Sequence, residues 1–306
     1  MTTDTAPRLA SVPEPARPPR PGARLRLRLR PGAGRQMHGG PLTYLVLTVA
    51  ALFSLFPLYW TVVAASTSNT RITQTPPPFL PGSNLAHNLK EAYTQVHMGT
   101  ALANTFLVAG TVALATVLFA TLAGFAFAKL EFTGRNVLLM LVIGTMMVPP
   151  QLGVVPLFML MSDIGWSNEL PAVIMPTLVS AFGVFFMRQY LAEALPTELV
   201  EAARVDGAHS LRIFWHVVLP VARPAMAVLG MLTFVQSWND LFWPMIALNS
   251  DNPTVQVALS QLGQGYVPDR SVIMAGALLG TLPLLLLFTV LGKQIVGGIM
   301  QGAVKG

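Results

Sequence analysis

Apolar positions in this chain come in long unbroken runs, not in the alternation of a half-buried strand or the three-to-four spacing of a surface helix. Residues 36–70 carry no Asp, Glu, Lys or Arg, and the apolar run at 42–65 inside them is long enough to cross a hydrocarbon core of about 30 Å. A charge at the centre of such a run costs about 2.5–3.5 kcal/mol, so charge-free intervals mark spans cleanly. Further runs lie at 103–128, 136–161, 170–187, 225–247 and 272–290. The pattern predicts an all-α integral membrane protein with six transmembrane helices. The first run is too long for a signal-peptide core and follows a long leader, so it reads as a retained span.

Two spans have soft ends. The fourth has 18 uncharged residues between Glu169 and Arg188, enough only if its ends snorkel or the helix continues past Arg188. The fifth includes Asp240, with Trp238 before it and Trp243 and Pro244 after it, which reads as an interfacial aromatic belt near the outer head groups. The run Met146, Met147, Val148, Pro149, Pro150 and Gln151 is the best candidate for a functional break in a span.

Composition agrees with the bilayer as solvent. The 306 residues are 53 % hydrophobic and 10 % charged, against roughly 25 % charged in an average soluble domain. Cysteine is absent, which excludes disulfides and thiolate metal sites, and the five His are scattered without zinc-site spacing. The net charge of +6 is concentrated: eight of the nineteen basic residues fall in the first 35 positions, with Arg24, Arg26, Arg28 and Arg30 alternating with Leu. Residues 1–40 therefore read as a disordered basic cytoplasmic tail that touches anionic lipid, with no nucleic-acid fold beside it. With the N-terminus inside, sixteen Lys and Arg fall on the cytoplasmic side and three, Arg71, Lys90 and Arg270, on the outer side. That bias predicts that both termini are cytoplasmic.

The stretch at about 191–220 is neither apolar enough to span nor polar enough to be a linker. Thr197 is placed to cap a helix with Glu198 in its first turn and Glu201 nearby, acidic groups at the positive end of the dipole. Glu201 and Arg204 are three apart and placed to pair, and Gly207 is placed to stop the helix. Leu199, Ala202, Ala203 and Asp206 fall on one face, where two adjacent Ala let another backbone approach closely. The alternative is a surface helix lying against its own bundle. A second helical stretch is expected from Ser210, ending before Pro220, with its apolar face on the membrane helices.

The run Glu201, Ala202, Ala203, Arg204, Val205, Asp206, Gly207, Ala208, followed by Ile213, Leu219 and Pro220, resembles the EAA loop of binding-protein-dependent ABC importer permeases. Pro76 to Gly82 with Asn88, Asn104, Val148 to Gly153, Trp238, Asn239, Asp240, Trp243, Pro244 and the end Gln301 to Gly306 resemble the maltose-type sugar branch, MalG-like. The resemblance implies the type I ABC importer permease (MetI-like) fold over residues 41–306, in the inner (cytoplasmic) membrane of a bacterial cell. It implies a second, non-identical permease subunit, two ATP-binding subunits and an extracytoplasmic solute-binding protein as partners. Glu201, Ala202, Ala203, Arg204, Asp206 and Gly207 would dock the ATPase, and the cargo would be a sugar or oligosaccharide. A polyol or glycerophosphodiester is the alternative within the class, and an ion-coupled secondary transporter the alternative outside it.

Polarity alone nominates Asn104, Gln151, Gln236, Asn239 and Asp240 as path-lining groups, each equally able to join helices by hydrogen bonds. No Gly-rich run ends in Gly-Lys-Ser/Thr, since Gly292 and Lys293 are followed by Gln294. Phosphate-cradling chemistry is therefore not expected here, and ATP is expected to be hydrolysed by a partner. No converging acid, base and nucleophile set is visible, so the chain is not expected to be an enzyme and no bound cofactor is expected.

Overall fold

The computed structural model describes residues 40–264 and 268–303. The expectations for the basic tail before residue 40, and for the last three residues of the sugar-branch ending, lie outside the described residues. Every described element is helical. In chain order they are α1 (Pro41–Ala65), α2 (Asn69–Ile72), α3 (Leu85–Gln95), α4 (Met98–Lys129), α5 (Arg135–Thr145), α6 (Val154–Asp163) and α7 (Leu170–Ile174). Next in the chain are α8 (Ala181–Ala194), α9 (Thr197–Val205), α10 (Ser210–Ile213), α11 (Leu219–Trp238), α12 (Phe242–Ala247), α13 (Val255–Leu262) and α14 (Arg270–Ala303). The chain divides into two compact units, residues 1–54 and 55–306. The described part of the first is the N-terminal half of α1, whose apolar side chains are exposed throughout. The C-terminal end of α1 and every helix from α2 onward belong to the second unit.

Among the described residues, five stretches are long and apolar enough to cross a membrane: Pro41–Ala65, Met98–Lys129, Leu170–Ala194, Ser210–Trp238 and Arg270–Thr289. A bent pair, Arg135–Thr145 with Pro150–Asp163, makes a sixth if it counts as one span. The span expected over 136–161 is broken, as the nominated run suggested: its two halves meet at 87°. The break falls within the nominated run, where Pro149 is extended (φ −60°, ψ 126°) and residues Pro150–Gly153 form a single 3-10 turn. Two consecutive prolines supply no N–H to the ladder and drive the residue before each out of the α region.

The fourth span does continue past Arg188, to Ala194, but it is jointed. A 3-10 turn at Met175–Thr177 separates α7 from α8, and Ser180 caps α8 by accepting from the Gly183 N–H at 3.1 Å.

Two expectations about the fifth span fail together. The helix beginning at Ser210 does not end before Pro220; it runs through a π-helical turn at Phe214–Val218 into α11. The Leu219 N–H reaches back five residues to the Phe214 carbonyl, and this wider turn makes room for the Pro220 ring, which has no N–H of its own to give. The span then ends at Trp238 instead of residue 247, and α12 is a separate short helix. Trp238 and Trp243 are buried against other helices: their Nε1–H groups donate to the Gly280 carbonyl at 3.1 Å and the Ala172 carbonyl at 2.9 Å.

The centre of the bundle is α4, packed on α8 and α11. Thr116, Ala120 and Gly124 recur every four residues and form a smooth stripe on α4. A Cβ at Gly124 would lie 2.8 Å from both the Arg188 backbone N and the Met187 Cβ, so the two helices nearly touch there. Opposite, Gly183 of α8 faces Ala120 and Thr116. Beyond this crossing, Phe125, Met187, Leu191, Phe214 and Val218 form one buried cluster near the Lys129 end of α4. At its other end, α3, α13 and α14 bury Ala92, Val96, Val255, Ala258, Val272 and Ala275 together. Buried Asn88 donates to the Ala65 and Thr67 carbonyls at 2.8 and 2.9 Å, tying α3 to the chain just after α1.

Candidate functional site

The first candidate surface is α9. It starts with Pro196 in the cap position, so Thr197 is the first helical residue instead of the cap, and its hydroxyl accepts from Lys129 Nζ at 3.4 Å. The same ammonium donates to the Ala192 carbonyl at 3.2 Å, joining the end of α4 to the α8–α9 turn. The helix ends in a Schellman motif: the Ala208 N–H donates to the Ala203 carbonyl and the Gly207 N–H to the Arg204 carbonyl, both at 2.9 Å. Gly207 takes the left-handed conformation (φ +79°) that the motif requires. Glu198 and Arg204 stand at the favoured ends of the helix dipole, while Glu201 and Arg204 form no ion pair among the described residues.

One face of α9 is keyed to the bundle by Val200, fully buried among Leu191, Leu195 and Ile213. Ala203 also packs on that cluster, with Ala208. The expected shared face of Leu199, Ala202, Ala203 and Asp206 is therefore split, because burial follows Val200 and Ala203 inward. Glu201, Ala202, Arg204, Asp206 and Gly207 remain exposed, together with Leu199 (48 %) and Val205 (89 %). Val205 was not among the nominated residues; a large apolar side chain one place before an acidic helix stop was the available signal.

The second candidate is a cavity of about 530 Å³ inside the bundle, bounded by α4, the Pro150 break, α7, α8, α11 and α12. That volume is within the range of small-molecule pockets, about 300–1,000 Å³. Gln151, Gln236 and Asp240 of the nominated residues line it. Asn104 and Asn239 do not. Asn104 Nδ2 donates to Asn252 Oδ1 at 2.8 Å and the Pro253 carbonyl at 3.0 Å, a structural clasp, while Asn239 Nδ2 donates to the Val235 carbonyl at 2.8 Å.

Sequence reasoning missed the hydroxyls of the wall, since Thr and Ser on apolar helices look like helix-packing residues. Thr105 accepts from the Val255 N–H at 2.7 Å, and Thr116 donates to the Leu178 carbonyl at 3.2 Å. Thr254 is 4 % exposed and its hydroxyl has no partner among the described residues, a state that costs about 1–3 kcal/mol when left unsatisfied. Asp240 lies two residues past the end of the span. Burial pushes its carboxyl above the ordinary value, opposed by the backbone N–H groups of Phe242 and Trp243, and Oδ1 accepts from the former at 3.1 Å.

Residues 117–299, which include both α9 and the cavity-lining part of α11, match the family described as binding-protein-dependent transport system inner membrane component. The chain belongs to that family. It is a membrane transport component of the ABC permease class, and its sugar-permease likeness covers nearly the whole chain. It is 35 % identical over 263 residues to the lactose transport system permease protein LacG of Rhizobium radiobacter, covering 86 % of this chain and 95 % of LacG. It is 30 % identical over 274 residues to the arabinooligosaccharides transport system permease protein AraQ of Halalkalibacterium halodurans, covering 87 % and 98 %. The sn-glycerol-3-phosphate transport system permease protein UgpE of Yersinia enterocolitica is 28 % identical over 267 residues, covering 84 % and 95 %. A chain of a bacterial ABC transporter that imports the acidic polysaccharide alginate superposes with a TM-score of 0.69 at 24 % identity, covering 82 % of this permease and 94 % of that chain. At that identity it shows the shared fold, the MetI-like arrangement expected from the sequence.

Proposed function

We propose that this permease forms half of the membrane path of an importer for a sugar or oligosaccharide, which an extracytoplasmic binding protein delivers. A second permease completes the path, and two ATP-binding subunits seat α9 and its partner's equivalent. Both termini and α9 then face the cytoplasm of a bacterial cell, in keeping with the sixteen-to-three bias of Lys and Arg. This chain itself binds no nucleotide; ATP is hydrolysed by the partner subunits.

The observation that carries the docking role is the division of α9 into two faces. Val200 fixes it to the helices that bound the path, while Glu201, Ala202 and Val205 point away from them. A partner that grips the outer face moves the inner one. The sugar assignment rests on the LacG and AraQ likenesses. The UgpE likeness favours a second reading, a glycerophosphate-type solute.

The test is uptake in vesicles reconstituted with the importer complex, comparing lactose, an arabinan-derived oligosaccharide and sn-glycerol-3-phosphate, with ATP hydrolysis followed in parallel. Sugar-dependent stimulation of ATP hydrolysis that is lost in Val205→Glu, with the complex no longer assembling, supports the reading. Uptake on an ion gradient without the ATPase sinks it.

A further inference from the structure

We propose that the cavity is a direct solute-contact site that takes neutral polyhydroxylated solutes and excludes anionic ones, with Asp240 as its specificity-determining residue. The inference rests on the sugar-import reading and deepens it, since the relatives above handle both neutral and anionic cargo.

The wall has one charged side chain, Asp240; no Lys, Arg or His lines it among the described residues. Its other polar groups are hydroxyls and amides, with Ser180 at the cap of α8 and Thr233, Gln236 and Ser237 on α11 among them. Such groups both donate and accept, which matches a solute made of hydroxyls. An anion needs cationic or concentrated N–H donors to replace its water, and this wall offers a carboxylate instead. The carboxylate is anchored, with Oδ1 held by the Phe242 N–H at 3.1 Å. Its field acts inside a mostly apolar wall, where charges are weakly screened.

Two further observations point to occupancy by a solute. Thr254 lines the cavity and keeps a buried hydroxyl with no partner among the described residues. Phe182 and Phe242 line it too and remain half-exposed, offering flat apolar faces for the C–H side of a sugar ring. Trp243, by contrast, has its indole N–H committed to the Ala172 carbonyl and serves as wall.

The natural absence of cysteine gives a direct test. Ser237→Cys places one thiol on the wall, and the assembled importer carrying it is treated with a cationic and an anionic methanethiosulfonate of similar size. Each rate, read from the mass of this chain, is normalised to reaction with a free thiol. The cation is expected to react at least tenfold faster. Asp240→Asn should bring the two rates within about twofold of each other, and Asp240→Glu should keep the preference. Equal rates in the parent, or a preference that Asp240→Asn leaves intact, overturn the proposal.

In a second arm, lactose at millimolar concentration should slow labelling at least fivefold. Lactobionate, which opens one ring and adds one carboxylate, should not slow it until Asp240 is neutralised. Equal protection by both in the parent refutes charge selection, and protection by neither refutes solute contact. Protection by lactose in an importer that fails to take up any sugar would instead count against the import reading, leaving the selectivity of the cavity standing.

Discussion

Gly207 is the position where backbone geometry alone should decide function. A Cβ added there meets nothing within 4 Å, so its first atom is not the obstacle, but φ is +79°. Left-handed backbone costs a non-glycine residue about 1–2 kcal/mol, with a β-branched residue at or above the upper end and Asn near the lower. Opening the Schellman motif, with its two 2.9 Å bonds, then becomes about 5–30 times easier. Gly207→Asn, Gly207→Ala and Gly207→Val should therefore rank in that order. The assay pairs hydrogen exchange across residues 203–208 in the assembled importer with transport-coupled ATP hydrolysis. Exchange should quicken and coupling should fall in the same rank order, while total yield of the permease stays near that of the parent. If Val is as well tolerated as Gly, or if Asn fails as badly as Val, the backbone argument is wrong.

Neighbouring alanines should separate docking from folding: Ala202→Trp leaves the permease stable in a thermal assay but blocks recovery of the ATPase in pull-down, whereas Ala203→Trp lowers the melting temperature itself, because Ala203 faces the core. Gly124→Leu should abolish folded yield by fluorescence-detected size exclusion, since even its Cβ lies 2.8 Å from the Arg188 backbone N; normal yield would mean α4 and α8 separate freely. Trp238→Phe removes the donor to the Gly280 carbonyl and leaves a void where the rest of the buried indole packed, and should cost about 2–3 kcal/mol, read as a lower melting temperature.

Length and charge made the spans legible, because both are set by the bilayer and not by tertiary contacts. α1, α4 and α14 begin or end close to the expected limits for that reason. The misplaced boundaries share a cause: prolines were read as either stops or kinks, and their effect depends on the turn that precedes them. Pro149 and Pro150 break their span through 87°, while Pro220 is accommodated after a π turn that no local composition announces. At the candidate site, the stop at Gly207 was legible because a left-handed residue has a chemical signature. The inward turn of Ala203 was not, since an alanine reads the same on either face and only the burial of Val200 fixes the helix's rotation. Gln151, Gln236 and Asp240 reached the cavity wall as polarity suggested, whereas Asn104 was spent on a clasp to Asn252 and Pro253 that lies about 150 residues away in sequence.

The continuous passage from Ser210 to Trp238 joins two places that would otherwise need a relay. At about 1.5 Å per residue, its 29 residues form a rod of roughly 43 Å, longer than the hydrocarbon core. One end follows the turn that closes α9; the other carries Gln236 and Ser237 on the cavity wall. One helical backbone therefore runs between the two places, with the π turn at Phe214–Val218 and Pro224 as the points where it is able to flex. The π turn at Phe214–Val218 sets the phase of that rod: each residue added or removed there would rotate α9 by about 100° relative to the cavity wall.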